Sequence, residues 1–423
     1  MLSLQNKQRY TAILKEELIP AMGCTEPISL AYAAAVARHT LGCLPERATV
    51  TVSGNIIKNV KSVIVPHTGG LRGIEAAVCA GFVAGDEGEH LEVLSHVTEE
   101  QVAQIAHYLA ADSVTVEQSA SGRLFEIVVE AYGNGHSVRV EITDGHTRVS
   151  RIEKDGEEMY AQEETFGEKE QTDRSFMTVE GIVAFAEETE LEELIPVLDR
   201  QIRCNTAIAK EGLTGKYGAG IGNVLLTAYG DTVFTRAKAW AAAGSDARMS
   251  GCEMPVVINS GSGNQGLTAS LPVIVYAEEL KVPRETLYRA LIVSNLVTIH
   301  LKTGIGCLSA YCGAISAGCG AGAGITYLYG GGFTEIAHTV VNAIAINSGV
   351  VCDGAKASCA AKIASSVEAG LLGMYMYMHG KQFVGGDGIV TKGVEKTIEN
   401  VSALAREGMK ETDKEILKIM LSC

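Results

Sequence analysis

The chain has 423 residues, enough for two or three domains and for a large hydrophobic core that needs no disulfide support. Its net charge of −15 argues against nucleic acid and anionic membranes as partners, because both attract basic surfaces. None of its 11 cysteines belongs to a C-x-x-C pair, which excludes ordinary ferredoxin runs, zinc ribbons and thioredoxin-type motifs. The N-terminus shows no signal-peptide pattern and no stretch suits a membrane span, so we expect a reducing cytoplasm.

The first 89 residues mix helices with short strands and form the N-terminal part of the expected catalytic region. One helix signal is clear, because Thr25, an acid and a proline precede an Ala-rich run, which makes Thr25 the expected N-cap. A polar link over residues 54–59 separates the two strand signals. The predicted helices are Gln5–Leu18, Ile28–His39 and Ile74–Val83, and the predicted strands are Ala48–Ser53 and Ser62–Val65.

Residues 90–160 alternate polar and apolar side chains with the period of two that is typical of β-strands, and glycine-containing turns separate the runs. One predicted helix, Glu99–Ala110, lies among them. The pattern predicts a small α+β domain with a mostly antiparallel sheet, inserted after the N-terminal segment, in which no residue suggests catalysis. Its predicted strands are Leu91–Val97, Ser113–Glu117, Leu124–Tyr132, Ser137–Thr143 and Thr147–Glu153.

A charged segment indicates the next domain boundary, since 12 of the 22 residues from Glu153 to Arg174 are charged. Beyond it, residues 161–423 are mainly helical, with many small residues that favour close helix packing. We expect this part to be the helical catalytic domain. The expected fold class is therefore α+β.

The helical region contains a group of cysteines near glycines, which allow the backbone to approach a bulky cofactor. Cys352 and Cys359 would lie about 10 Å apart on an unbroken helix, so Asp353-Gly354 is expected to break the helix and bring them closer. The thiolates either chelate an iron–sulfur cluster or are buried free thiols in a small-residue core, and spacing alone leaves both open. The group consists of Cys307, Cys312, Cys319, Cys352 and Cys359.

Three other segments carry residue types that bind or react. The loop Ser260–Gly266, with Ser262 and Asn264, offers hydroxyls, amides and N–H groups to a carboxylate or phosphate, unless it is simply a solvated glycine loop. Cys24 lies at a predicted helix N-terminus, where the helix dipole favours thiolate over thiol. His67 lies beside glycines and can titrate, although a lone histidine is more often structural.

These motifs together resemble the L-cysteine desulfidase family, which is related to the iron–sulfur L-serine dehydratases. The resemblance extends over essentially the whole chain, and its motifs are specific in combination. They are Ala21–Pro27, Ser53-Gly54-Asn55, His67–Gly70, Ser260–Gly266 and the set Cys312, Cys352 and Cys359.

The resemblance implies an oxygen-sensitive [4Fe–4S] cluster held by Cys312, Cys352 and Cys359, with one iron left open for the substrate. It implies that Cys24 is the reactive thiol, and we expect Cys24 to be the base for the Cα proton. By analogy with the related dehydratases, Cys423 would cap the open iron in the resting enzyme.

The implied reaction converts L-cysteine and water to pyruvate, ammonia and sulfide. The substrate carboxylate is expected on the Ser260–Gly266 loop, and Glu26 is either a charge at the helix start or the partner of the ammonium group. The expected polar wall residues are Ser53, Asn55 and His67. Cys307 and Cys319 have no role in the family pattern.

Three alternatives remain open at this point. The same cluster enzyme could act on L-serine, because both substrates present a carboxylate and an α-amine. A pyridoxal-phosphate β-eliminase would need a Schiff-base lysine, and Lys216 and Lys238 precede the glycine loop without a recognisable context. A non-catalytic iron–sulfur or thiol sensor is the third. The expected partners are a small amino-acid substrate and a second copy of the chain in a homo-oligomer, taken to be a dimer.

Overall fold

The computed structural model describes residues 2–161, 172–306 and 309–422. The first half contains, in chain order, α1 (Leu4–Glu17), β1 (Pro20–Met22), α2 (Thr25–Leu41), β2 (Arg47–Val52), α3 (Gly54–Val60), α4 (Gly73–Ala84), α5 (Glu99–Ala110), β3 (Val114–Gln118), β4 (Glu126–Gly133), β5 (His136–Thr143), β6 (Val149–Lys154) and β7 (Glu157–Ala161). The second half contains α6 (Val179–Glu188), α7 (Ile195–Gly212), α8 (Ile221–Tyr229), α9 (Val233–Met249), β8 (Pro255–Val257), α10 (Gly263–Leu280), α11 (Arg284–Ile305), α12 (Gly313–Leu328), α13 (Phe333–Asn347), α14 (Ser358–Met378), α15 (Val394–Ala403) and α16 (Lys410–Leu421).

Six strands form one sheet in the order β3-β2-β4-β5-β6-β7. β2 runs parallel to β3, and the other neighbouring pairs are antiparallel. Alternate residues such as Val50, Val129 and Val140 are buried, and α2 packs on β4 and β5. The predicted α+β fold with a mostly antiparallel sheet is confirmed. β2 lies before residue 90 and the other five strands after it, so the sheet joins two segments that the sequence analysis separates.

Several predicted elements differ from the structure. The strand predicted over residues 62–65 is wrong, since Ile64 makes only an isolated bridge to Arg72, and the polar link before it is helix α3. The strand predicted over residues 91–97 is also wrong, because a 3₁₀ turn over Glu87–Glu92 buries Leu91 without strand pairing. The charged segment begins as strands β6 and β7, and residues 162–171 lie outside the described part of the chain.

Small residues allow the long helices of the second half to pack closely. A Cβ added at Gly318 would lie 2.3 Å from the Ser366 carbonyl oxygen of α14, and one added at Gly320 would lie 2.4 Å from the Ser294 carbonyl oxygen of α11. The glycine-rich segment Gly313–Leu328 therefore forms α12, which packs between α11 and α14. Among the described residues, none of the helices combines the length and apolarity that crossing a membrane requires.

Candidate functional site

A short antiparallel ribbon of β1 and β8 joins the beginning of the chain to its middle. β1 leads into α2 through Cys24, and β8 leads into α10 through the loop that begins at Ser260. The Thr25 hydroxyl donates a hydrogen bond to the Gly261 carbonyl oxygen at 3.2 Å. The structure therefore brings together two of the motifs that the sequence singled out, 236 residues apart.

The loop before α10 is held from beneath by a buried amide network. The Asn259 amide donates to the carbonyl and side-chain oxygens of Asn295, and the Ser260 hydroxyl donates to the Asn259 side-chain oxygen at 2.9 Å. Ser260 and Gly261 have φ angles of +49° and +74°, which reverse the chain direction. Ser262 is the N-cap of α10, and its side chain makes no capping hydrogen bond. The hydroxyl of Ser260 thus supports the loop itself.

The same loop packs so closely on β8 that Gly266 has no room for a side chain. A Cβ at this position would lie 2.0 Å from the Val257 carbonyl oxygen. We expect Gly266→Ala to lower the free energy of unfolding by about 1–3 kcal/mol, because the backbone of α10 must shift. Urea denaturation measures this change. The matched control is Gly349→Ala, where a Cβ meets nothing within 4 Å, and equal stability of the two variants would contradict the prediction.

Arg248, in the last turn of α9, was not predicted from the sequence. Its side chain is buried, with 2% of its surface exposed, and its Nε lies where a Cβ added at Gly263 would be only 2.3 Å away. Nε has no hydrogen-bond partner, and no acidic side chain of the described residues lies within ion-pair distance. The positive charge of the guanidinium lowers the pKa of the Cys24 thiol. A buried cation therefore lies between the start of α2 and the start of α10.

Cys24 rather than Thr25 is the N-cap of α2, which corrects the predicted cap by one residue. Its side chain is buried beside Val63 and Met249, with Cys359 packed against them. Burial raises the pKa of the Cys24 thiol to about 12, Glu26 and Cys359 act in the same direction, and Arg248 opposes them. Burial therefore acts against the expected preference for thiolate, which stays a prediction.

The three cysteines expected to hold the cluster lie close to one another. Cys312 is the N-cap of α12, and its N–H donates to the Val350 carbonyl oxygen, while the N–H of Cys352 donates to the Ala310 carbonyl oxygen. Burial, together with the neighbouring Cys352 and Cys359, raises the pKa of Cys312 to about 12. The chain folds so that these three thiols interact electrostatically.

The turn between Cys352 and Cys359 has the helix break that the sequence predicted, since α14 begins only at Ser358. Gly354 has a φ of +94°, and a Cβ there would lie 2.1 Å from the Lys58 carbonyl oxygen. The Lys362 ammonium group donates to the Val351 carbonyl oxygen at 2.9 Å and lowers the pKa of Cys312. Positive charge beside the thiols suits an anionic thiolate cluster.

No three cysteine, histidine or acidic side chains of the described residues form a site for one metal ion. An iron–sulfur cluster is broader than a single ion, so its thiolate ligands are held further apart. The mutual proximity of Cys312, Cys352 and Cys359, together with Lys362, fits such a cluster.

The expected polar wall residues lie on two segments. The Ser53 hydroxyl and the Asn55 amide both donate to the Leu124 carbonyl oxygen, at 3.0 and 3.3 Å. The Ser53 hydroxyl therefore helps to hold the small sheet in place. His67 has a φ of +56°, and its Nδ1 lies 3.3 Å from a carboxylate oxygen of Glu253.

Glu26, one residue into α2, has a buried amide partner that the sequence analysis did not single out. The Asn59 amide of α3 donates to one carboxylate oxygen of Glu26 at 2.9 Å, and the Thr25 hydroxyl, which shares its one proton with the Gly261 carbonyl oxygen, lies 3.1 Å from the other. Glu26 acts electrostatically on both Cys24 and His146. Its carboxylate therefore lies beside the site and is held by neutral donors.

His146 reaches the site from the small sheet, in which the sequence suggested no catalytic residue. It lies in the turn between β5 and β6, packs against Phe125 with ring centroids 5.0 Å apart, and would be 3.3 Å from a Cβ at Gly261. Burial lowers the pKa of His146, and Glu26 and Arg248 act on it in opposite directions. Burial therefore favours the neutral imidazole over the charged one. The only sequence signal for it was the Asp144-Gly145 turn just before it.

The remaining cysteines and lysines of interest lie elsewhere. Cys319 is buried within α12 and makes no contact that suggests a ligand, and Cys307 and Cys423 lie outside the described residues. Lys238 is buried ten residues before Arg248 on α9, about 15 Å along the helix, and pairs with Glu368 at 3.1 Å. Lys216 is exposed.

Buried polar atoms without a hydrogen-bond partner gather at this site. Buried polar groups in proteins are normally hydrogen-bonded, so such atoms indicate a place where a polar ligand binds. The atoms at the start of α10 are Arg248 Nε, His146 Nε2 and Asn264 Oδ1. The molecule is thus a mainly helical α+β protein in which both halves of the chain contribute to a thiol-rich site with a buried arginine.

Comparison with known proteins agrees with this description. The family model of the serine dehydratase alpha chain matches residues 88–418. A UPF0597 protein of Desulfitobacterium hafniense is 57% identical over 416 residues, which is 98% of this chain and 97% of the relative. Those of Lachnoclostridium phytofermentans and Finegoldia magna are 52% and 46% identical, and each alignment spans at least 97% of both chains.

The chain therefore belongs to the serine dehydratase alpha chain family. The family implies a lyase of the serine dehydratase type, and its members generally depend on iron–sulfur clusters. The resemblance to iron–sulfur serine dehydratases is confirmed at this level. The matched segment includes Arg248, His146 and the three clustered cysteines, whereas Cys24 and Glu26 precede it.

Proposed function

We propose that the protein is an L-cysteine desulfidase, a carbon–sulfur lyase that eliminates sulfide from L-cysteine and yields pyruvate and ammonia. One observation carries the proposal. Cys24 packs against Cys359, whose thiol interacts with those of Cys312 and Cys352, directly beside the amide-rich start of α10. The reactive thiol of Cys24 would then lie next to the cluster site and to the site for the substrate carboxylate.

Cys312, Cys352 and Cys359 would hold a [4Fe–4S] cluster. When bound by three protein ligands, such a cluster would leave one iron open as a Lewis acid for the leaving group, and a soft metal suits sulfur. Cys423 is proposed as the residue that protects this position at rest. Lys362 and the Lys58 carbonyl contact at Gly354 position the ligand loop.

The chain's own residues would bind and orient the amino acid. The α10 start receives the carboxylate, and Glu26, held by Asn59 and Thr25, faces the ammonium group. Cys24 would take the Cα proton as the thiolate, which the positive charge of Arg248 favours against the effect of burial. Loss of that proton and cleavage of the Cβ–S bond give sulfide and aminoacrylate, which water converts to pyruvate and ammonia.

The second candidate function is an iron–sulfur L-serine dehydratase, because the matching family is that of the serine dehydratase alpha chain. The pyridoxal-phosphate alternative is disfavoured, since Lys238 is paired with Glu368 and lies far along α9 from the loop. The sensor alternative differs from both in predicting no elimination. A homodimer is proposed as the assembly, and sedimentation measures it.

The decisive experiment is anaerobic reconstitution followed by paired rate measurements. We expect stoichiometric iron and sulfide in the protein, and a kcat/KM for sulfide release from L-cysteine at least about tenfold above that for pyruvate release from L-serine. The reverse ratio would make the protein a serine dehydratase. Iron without elimination of either substrate would favour the sensor, and a borohydride-trapped lysine adduct would favour the pyridoxal-phosphate enzyme.

A further inference from the structure

Arg248 is a buried cation with no protein counter-ion among the described residues. Its side chain is 2% exposed, and its Nε has no acceptor. The guanidinium fits only because residue 263 is a glycine and has no side chain to fill the same space. A buried charge without a partner is costly, and proteins normally pair it. An arginine kept in this state inside a site indicates that its partner is an anion supplied from outside.

The surroundings of Arg248 favour a carboxylate as that anion. The guanidinium lies at the first turn of α10, an 18-residue helix whose N-cap Ser262 leaves the first N–H groups without a side-chain acceptor. The planar fork of arginine matches a carboxylate through two parallel hydrogen bonds. A helix N-terminus adds further donors and a favourable dipole for the same charge.

Glu26 supplies the opposite charge at the same site. Arg248 and Glu26 both act electrostatically on Cys24 and on His146, yet they form no ion pair with each other. The Glu26 carboxylate is instead held by the neutral donors of Asn59 and Thr25. Two opposite charges that share neighbours but stay apart suit a ligand that is itself a zwitterion.

We propose that Arg248 is the residue that recognises the α-carboxylate of the substrate, so that the site accepts free α-amino acids and rejects their amides. This assignment rests on the proposed function for the identity of the substrate, but it holds equally for L-cysteine and L-serine. Gly263 is the residue that makes room for the guanidinium, and Glu26 orients the amino end.

The test measures binding without turnover. L-Alanine has the carboxylate and the amine but no leaving group, and L-alaninamide lacks only the carboxylate. Calorimetry on the anaerobically reconstituted protein is expected to show alanine binding at least about tenfold tighter than alaninamide. In Arg248→Gln this preference should vanish, and Arg248→Lys should restore part of it, because lysine keeps the charge without the fork.

Two further variants separate recognition from a general loss of structure. Gly263→Ala keeps the arginine but places a Cβ 2.3 Å from Nε, so it should weaken the preference for alanine while circular dichroism stays unchanged. Lys238→Gln removes a buried cation from the same helix outside the site and should keep the full preference. Equal binding of alanine and alaninamide by the wild type, or an undiminished preference in Arg248→Gln, would overturn the assignment. Failure of sulfide release alone would count only against the desulfidase proposal.

Discussion

Cys352→Ala is expected to lose its iron and its lyase activity together after anaerobic reconstitution, with activity reduced at least about 100-fold. Replacing a residue that only supports a metal ligand typically lowers metal affinity or activity about 10- to 100-fold. Replacing a ligand itself should lower them at least as much. Cys352 is the best of the three cysteines for this test, because its backbone N–H holds the loop by a 2.6 Å bond to the Ala310 carbonyl oxygen. Alanine keeps that bond.

The matched control for this variant is Cys319→Ala. Cys319 is a buried thiol on α12, seven residues beyond Cys312 and about 10 Å further along the helix axis. We expect it to retain iron and activity, which are measured as iron per chain, as absorbance of the reconstituted protein and as sulfide release. Full activity in Cys352→Ala would refute the cluster-ligand assignment, and iron loss in Cys319→Ala would redirect it to the neighbouring thiol.

Cys24→Ala is expected to keep its iron and to lose turnover by about 10²- to 10⁴-fold, the usual contribution of a general acid or base. The Cys24 side chain makes no capping hydrogen bond, and the Ile28 N–H reaches the backbone oxygen of Cys24. Alanine should therefore leave α2 intact. The loss should appear in kcat more than in KM, because the carboxylate and ammonium contacts remain.

Cys79→Ala is the control for the removal of a buried thiol. Cys79 lies in α4, and burial raises its pKa to about 12, as burial does for Cys24. Cys79 is outside the site, so turnover should stay at the wild-type level. Unimpaired turnover in Cys24→Ala would remove Cys24 from the mechanism and make His146, with its buried and unpartnered Nε2, the next residue to test as the proton acceptor.

The sequence alone supported the class of fold and most of the residue types at the site. Period-two alternation predicted β4 and β5 because one face of the sheet is buried and the other is not. The many small residues of the second half predicted close helix packing, which the contact of Gly318 with α14 confirms. Asp353-Gly354 predicted the helix break between Cys352 and Cys359, because glycine accepts the positive φ at that turn.

Local pattern failed where neighbours decide the conformation. Residues 91–97 have the apolar content of a strand, but they begin inside the 3₁₀ turn Glu87–Glu92, which is capped by Asp86, and they form no strand. Residues 54–60 look like a polar link, yet they form α3, which is buried between Gly354 and Leu417. In both segments the burial comes from elements far away in the chain, which a local pattern does not contain.

By itself, the sequence determined the cysteine-rich and amide-rich segments, because residue types and short-range spacing are local properties. Only the tertiary structure decided that Arg248 and His146 belong to the site, since the first lies within an Ala-rich helix and the second in a hairpin turn of the small sheet. It also decided the direction in which the pKa of Cys24 is shifted. A helix N-terminus is visible in the sequence, but the burial that raises the pKa of Cys24 arises from the packing of Val63, Met249 and Cys359 around it.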